Sequence, residues 1–279
     1  MTPRPRQAAT KISALVSDVD GSLVDDDKIL TPDARNAVAR LQDNGILFSL
    51  ISSRPPRGLR SLIETLQISA PVAGFNGGAL IGPDLSPIAA HVLPPHAARR
   101  ALALLDARQV EVWLFSGGDW LVRDLDGAYV GHEHRTVGFP PIRVETFDRA
   151  LEASAKIVGV SDDFNLLDRC EDELGAALGT QASISRSQAY YLDITHPLAN
   201  KGDALSEIAT LLGAPMAEIA VIGDGANDVA MFQRSGLAIA MGNAAPEIQR
   251  CADVVTGSNR DNGFAKAVER YILNRGARP

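Results

Sequence analysis

Short apolar runs, several of them cut off by a glycine or an acidic residue, recur towards both ends of the chain and define its expected elements. Residues 12–20, ISALVSDVD, read as a buried strand of a parallel sheet: apolar, partly β-branched, and halted at Gly21. Thr31 followed by Pro32 supplies a helix N-cap and a residue pre-set for the first turn. Ala34, Ala37, Val38 and Leu41 then repeat at helical spacing until Gly45 ends the segment. Residues 46–52, ILFSLIS, form the next apolar strand, so the opening of the chain alternates strand and helix. That alternation implies a parallel sheet with right-handed crossovers. It returns late, with EIAVIGD at 218–224, GLAIAM at 236–241 and ADVV at 252–255.

Between these stretches the texture changes. Pro83, Pro87, Pro94 and Pro95 mark a boundary, residues 110–124 read as a hairpin around Gly117 and Gly118, and 182–195 repeat the antiparallel pattern. The expected fold class is therefore α/β: a Rossmann-like three-layer core with a parallel sheet, built from 1–82 and 194–279, plus an inserted α+β domain at 83–193. A length of 279 residues suits two domains. Composition adds exclusions. With 46% hydrophobic and 22% charged residues the chain is expected to fold rather than remain disordered. A net charge of −7 offers no basic field for nucleic acid. No apolar run is long enough for a membrane span, and the first ten residues lack the apolar stretch of a secretory signal, so the protein is expected to be soluble and cytoplasmic. Those ten residues read as a frayed tail. Cys170 and Cys251, too few for a disulfide framework, are expected to be buried and inert.

Candidate chemistry gathers at strand ends. In an extended segment residues two apart point the same way, so DVDGS at 18–22 places Asp18 and Asp20 together at the carboxyl end of the first strand. Open α/β sheets bind ligands at that edge. Gly21 permits a sharp departure and leaves backbone amides to face an anion, although a lone DxDG is most often a surface turn. GDGAND at 223–228 repeats the arrangement, with Asp224 and Asp228 one helical turn apart and Asn227 beside them. An acidic helix start favoured by the macrodipole is the plainer alternative there. Four carboxylates on one sheet edge repel unless a cation sits among them, and hard oxygen donors suit Mg²⁺. Lys201, in NKGDAL, offsets residual negative charge or reaches phosphate if it lies near that edge, and is otherwise a solvated surface group. Ser52, in SSR, offers either a hydroxyl donor or a helix N-cap. His132 and His134 lack a third ligand at metal spacing and read as surface or packing residues. Trp113 and Trp120 read as core of the inserted domain.

The order DxDG, Ser, Lys, GDxxxD resembles the haloacid dehalogenase superfamily of phosphohydrolases. NGG at 76–78, Lys201–Gly202 and GDGAND are similar to its Cof-type branch, which carries a large α/β cap between the second and third motifs. The resemblance spans residues 12–273. It implies that Asp18 is a nucleophile forming an aspartyl phosphate, and that Asp20 protonates the leaving oxygen and later activates water. It implies direct Mg²⁺ ligation by Asp224, by Asp18 and by the backbone carbonyl of Asp20, with Asp228 supporting the metal shell and Lys201 orienting Asp18 and the phosphate. Ser52, Ser53, Arg54, Asn76, Gly77, Lys201 and Asn227 are the implied phosphate or substrate contacts. The implied activity is Mg²⁺-dependent hydrolysis of a small phosphorylated metabolite such as a sugar phosphate, with no nucleic-acid or membrane partner. A phosphomutase using the same aspartate and a non-catalytic phosphate-binding module are the alternatives. Ser22 stands where the family usually has Thr, and SSR replaces TGR. Ser53 in place of Gly narrows the backbone's freedom, so a weaker or shifted clasp on phosphate is expected.

Overall fold

The computed structural model describes residues 11–274, and the expected tail at 1–10 lies outside the described residues. Strand β1 (Ala14–Ser17) is wholly buried. It is shorter than the apolar run because the chain turns at once: the amides of Ser22, Leu23 and Val24 all converge on the Val19 carbonyl. Helix α1 (Pro32–Asp43) starts as expected, with the Ala34 amide donating to the Thr31 hydroxyl at 3.2 Å, and it buries Ala34, Ala37, Val38 and Leu41. Strand β2 (Leu47–Leu50) lies parallel to β1. A 3-10 turn (Pro56–Leu59) and helix α2 (Arg60–Thr65) follow. Then β3 (Val72–Gly74), β4 (Ala79–Ile81) and β5 (Pro87–Ala90) pair antiparallel. Pro87 thus begins a strand bonded to β4 instead of marking the departure of the chain.

A second sheet follows, built from α3 (Pro95–Ala107), β6 (Glu111–Ser116), β7 (Asp119–Val122), α4 (Val130–Val137), β8 (Ile142–Arg143), β9 (Ser154–Val160), α5 (Phe164–Leu178), β10 (Ser183–Gln188) and β11 (Tyr191–Thr195). Its order is β10-β11-β9-β6-β7-β8, antiparallel apart from the β7–β8 pair. The β6–β7 hairpin turns on Gly117 and Gly118, both at positive φ. Strand alternation gives this sheet two faces. Val112, Leu114, Ile157 and Leu192 share one hydrophobic cluster with residues of α3 and α5. Trp113, Phe115, Val158 and Tyr191 share another with Val130 and Val137 of α4, and with Phe75 from the loop between β3 and β4. Trp113 and Trp120 meet edge-on with centroids 5.1 Å apart, fully buried, as expected of core residues.

The chain returns through α6 (Lys201–Leu212), β12 (Ile219–Gly223), α7 (Val229–Arg234), β13 (Leu237–Ala240), α8 (Pro246–Gln249), β14 (Val254–Val255) and α9 (Gly263–Ala267). Strands β12, β13 and β14 complete an all-parallel sheet ordered β14-β13-β12-β1-β2. Residues of α1 and α9 pack with one face of it and residues of α6 and α7 with the other, which gives the three-layer α/β core. Among the described residues no helix is long and apolar enough to cross a membrane. Cys170 is buried on α5, but Cys251 is exposed, contrary to expectation. It lies just past the short helix α8, where its Sγ donates to the Glu247 carbonyl and the side chain stays outside the core.

Candidate active site

Parallel register sets Ser17 opposite both Ile222 and Leu50, so the residues that follow these strands emerge together at one sheet edge. Two tight turns shape that edge. Gly21 adopts φ +86°, and a Cβ there would stand 2.2 Å from Asp224 Oδ2, so both the conformation and the space exclude a side chain. After β12, Asp228 Oδ2 accepts the amides of Asp224 and Gly225 at 2.9 and 2.8 Å. That closes the turn and leaves Asp228 Oδ1 free to accept from Lys201 Nζ at 2.6 Å. The same ammonium donates to Asp18 Oδ1 at 2.5 Å. Lys201, at the first position of α6, is 1% exposed, so it is a buried bridge and not a solvated surface group.

Asp18, Asp224 and Asp228 each present an oxygen within 4.8 Å of the others. Burial pushes the Asp18 carboxyl up to about 8, against the pull of Lys201 and with the repulsion of Asp228 and Asp224. Burial and Asp228 likewise raise Asp224 to about 6. Burial opposes the charge on Lys201, yet Asp18 and Asp228 hold its pKa above the usual lysine value. Three carboxylates around one ammonium leave the cluster short of positive charge. Its hard oxygen donors are the set that a divalent cation such as Mg²⁺ takes.

The carboxylate of Asp20 is engaged elsewhere. Arg54 grips it with two bonds, Nε to Oδ2 at 2.8 Å and Nη2 to Oδ1 at 2.7 Å, and Lys28 Nζ lies 3.0 Å from Oδ1. Although burial works against ionisation, Arg54 and then Lys28 bring Asp20 down to about 2. Ser52 Oγ accepts the Arg54 amide at 3.1 Å, whereas the following 3-10 turn begins at Pro56 without a side-chain cap, so Ser52 shapes its own loop. The Ser52 carbonyl receives the amide of Asn76, which sits at φ +57° and accepts from Asn227 Nδ2 through Oδ1 at 3.0 Å. Gly77 has φ +103°, and a Cβ there would meet Ala204 Cβ and the Asn200 carbonyl at 2.8 Å. NGG is therefore the close contact between this loop and α6.

A cavity of about 270 Å³ lies over Asp20, with Ser53 and Arg54 on one wall and Glu133, Lys156 and Tyr191 of the second sheet's unit on the other. A model of haloacid dehalogenase-like hydrolases matches residues 15–268. The chain belongs to that family. It is 28% identical over 260 residues to a provisionally named phosphatase of Haemophilus influenzae, covering 92% of this chain and 97% of the relative. A haloacid dehalogenase-like hydrolase of Bacteroides thetaiotaomicron superposes with a TM-score of 0.87 at 26% identity, covering 94% and 100% of the two chains. In fold alone, a subclass IIB sugar phosphatase matches with a TM-score of 0.80 at 20% identity, covering 93% and 98%. The chain is thus an enzyme of the phosphoric monoester hydrolase type.

Some site residues of this haloacid dehalogenase-like hydrolase escaped sequence reasoning. Asn243 donates to Asp224 Oδ2 at 3.1 Å and to the Gly21 carbonyl at 2.9 Å, and its own Oδ1 accepts the Asn259 amide. Its signal was available: MGN follows β13 at the same sheet edge as the acidic motifs. Lys28 sits in the polar stretch DDDK, which carries no periodicity to single it out. His132 lines the cavity, and neither it nor His134 joins a metal-ligand cluster among the described residues.

Proposed function

We propose that the enzyme is a Mg²⁺-dependent phosphatase of small phosphorylated metabolites, sugar phosphates foremost, acting through an aspartyl phosphate on Asp18. The observation that carries this reading is Asp18, tied to Lys201 inside the acidic triad and followed two residues later by Asp20. Asp18, Asp224 and the Asp20 backbone carbonyl would hold the cation, with Asp228 supporting them. When bound, Mg²⁺ supplies the positive charge that lets a phosphate dianion sit against carboxylates.

Lys201 fixes Asp18 for attack at phosphorus, and the bond from phosphorus to the leaving oxygen breaks as the Asp18 bond forms. Asp20 gives the leaving oxygen its proton, then takes a proton from the water that hydrolyses the aspartyl phosphate, which restores Asp18 and releases phosphate. Gripped by Arg54 and Lys28, Asp20 is ionised, the form needed in the second half. Proton delivery in the first half requires that grip to loosen. Ser52, Ser53, Arg54, Asn76, Gly77 and Asn227 are the proposed phosphate and substrate contacts. Residues 1–82 with 194–279 form the catalytic core in this reading, and 83–193 form a cap over the cavity. Because β5 pairs with β4 and β11 runs to Thr195, the moving part of the cap in this reading runs from about residue 91 to residue 195 and not from 83 to 193. The scarcity of cysteine supports a cytoplasmic setting.

Phosphate release from glucose 6-phosphate, ribose 5-phosphate and 4-nitrophenyl phosphate in the presence of Mg²⁺ tests the reading; release from none of them overturns it. Asp20→Asn is expected to lower turnover of the sugar phosphates by roughly 10²- to 10⁴-fold. Single-turnover release of 4-nitrophenolate, which departs without a proton, is expected to suffer least. An equal loss for both kinds of leaving group in that first step contradicts the acid role.

A further inference from the structure

Lys156 on β9 and Asp193 on β11 form an ion pair, Nζ to Oδ2 at 2.7 Å, on the sheet face that also carries Val158 and Tyr191. Asp193 is 1% exposed, and apart from that ammonium neither of its oxygens has a hydrogen-bond partner among the described residues. A buried ion pair in an apolar layer is a poor device for stability, because well-packed apolar residues serve there equally well. The pair does have another use. Lys156 lines the cavity over Asp20, and an ammonium has three donors, of which Asp193 takes one.

Glu133, projecting from α4, lines the same cavity. Its Oε2 accepts from the Tyr191 hydroxyl at 3.3 Å, which leaves Oε1 for a ligand. Lys156 and Glu133 therefore offer the cavity a donor and an acceptor that are each held from behind by a residue of β11, Asp193 and Tyr191. With the partners behind the lining included, its charges balance: Lys28, Arg54, Lys156 and Arg260 stand against Asp20, Asp26, Glu133 and Asp193. That balance disfavours a leaving group with a second phosphate or a net positive charge. It suits groups that both donate and accept while staying neutral, and hydroxyls do so.

Resting on the phosphatase reading above, we propose that Glu133 and Lys156 are the specificity-determining pair, reading the hydroxyls of an uncharged sugar or polyol leaving group, with Asp193 and Tyr191 as their positioning residues. The acceptor and donor select the substrate after the phosphate has engaged the core, so their removal affects substrates with hydroxyls and spares those without.

The test compares kcat/KM for glucose 6-phosphate and ribose 5-phosphate with that for 4-nitrophenyl phosphate. Glu133→Gln keeps the shape and, with its one oxygen on the Tyr191 hydroxyl, turns an amide donor towards the ligand in place of the acceptor. Lys156→Met alone would strand Asp193, so Lys156→Met is combined with Asp193→Leu, and near-ultraviolet circular dichroism checks that the variant is folded. Each variant is expected to lose about tenfold or more on the sugar phosphates, the scale of one hydrogen bond to a charged group, and less than about twofold on the aryl phosphate. An equal loss on all three substrates, or none on the sugar phosphates, overturns the proposal. So does a wild-type preference for a phosphorylated aromatic base that neither variant changes. A wild-type enzyme silent toward every one of these phosphates, the aryl phosphate included, overturns the phosphatase reading itself, and this proposal with it.

Discussion

Asp18→Asn is expected to abolish turnover, by roughly 10⁴-fold or more, in a protein that remains folded. The amide matches the carboxylate in shape but cannot form the acyl phosphate. The site around it survives: Lys201 keeps its bond to Asp228, and Asp228 keeps the turn closed on Asp224 and Gly225. Without a divalent cation the variant should even unfold at a higher temperature than wild type near pH 7. Burial and its neighbours lift Asp18 to about 8 in the folded protein, so folding at that pH forces a carboxylate that is ionised in the unfolded chain to take up a proton. An amide carries no such cost. Full activity in a preparation whose mass confirms Asn at this position would remove Asp18 as the nucleophile. A variant less stable than wild type in chelator would contradict the account of the acidic cluster.

The sequence was legible where one residue type has one physical use. Thr31-Pro32 marked the start of α1 to the residue, and the apolar runs marked every strand of the parallel sheet, though each strand is shorter than its run. The excess residues, such as Val19, are buried without being strand, because apolar burial and ladder pairing are separate requirements. Asp18, Asp224 and Asp228 were readable because two acidic strand ends at one sheet edge are harder to explain as turns than either is alone, and the fold brings them together with Lys201. The grip of Arg54 on Asp20 was not readable. It depends on how the loop after β2 folds back, which no local spacing encodes. Residues on the cavity's far wall were hidden for a similar reason. Lys156 and Asp193 lie on β9 and β11, far apart in sequence, and only the antiparallel register, which pairs them with Thr195 and Val158, sets them diagonally within reach of each other. Pro87 misled because proline is admitted at the first position of a strand as readily as in a loop.

Removing divalent cation is expected to silence the enzyme and to expose a stability defect that grows with pH. In the metal-free protein Asp18 is raised to about 8 and Asp224 to about 6, against an ordinary value of 3.8. Between the ordinary value and these raised ones the folded state binds more protons than the unfolded chain, so stability falls as pH climbs from about 4 towards 8. A cation that binds the ionised carboxylates of the folded state reverses this, and protons compete with it. Added Mg²⁺ should therefore raise the unfolding temperature more at pH 8 than at pH 5. Asp224→Asn removes one of the charges in conflict, so it should be more stable than wild type in chelator, gain much less from Mg²⁺, and lose activity. Ser22 donates to Asp224 Oδ1 and Asn243 to Oδ2, so in the variant the amide oxygen can keep the Asn243 bond while its Nδ2 donates to the Ser22 hydroxyl, which also accepts, and the turn should persist. Thermal unfolding of both proteins at the two pH values, with Mg²⁺ and with chelator, gives the comparison. The same gain from Mg²⁺ at pH 5 and pH 8, or full phosphate release in excess chelator, would mean that the acidic triad is not the seat of a catalytic cation.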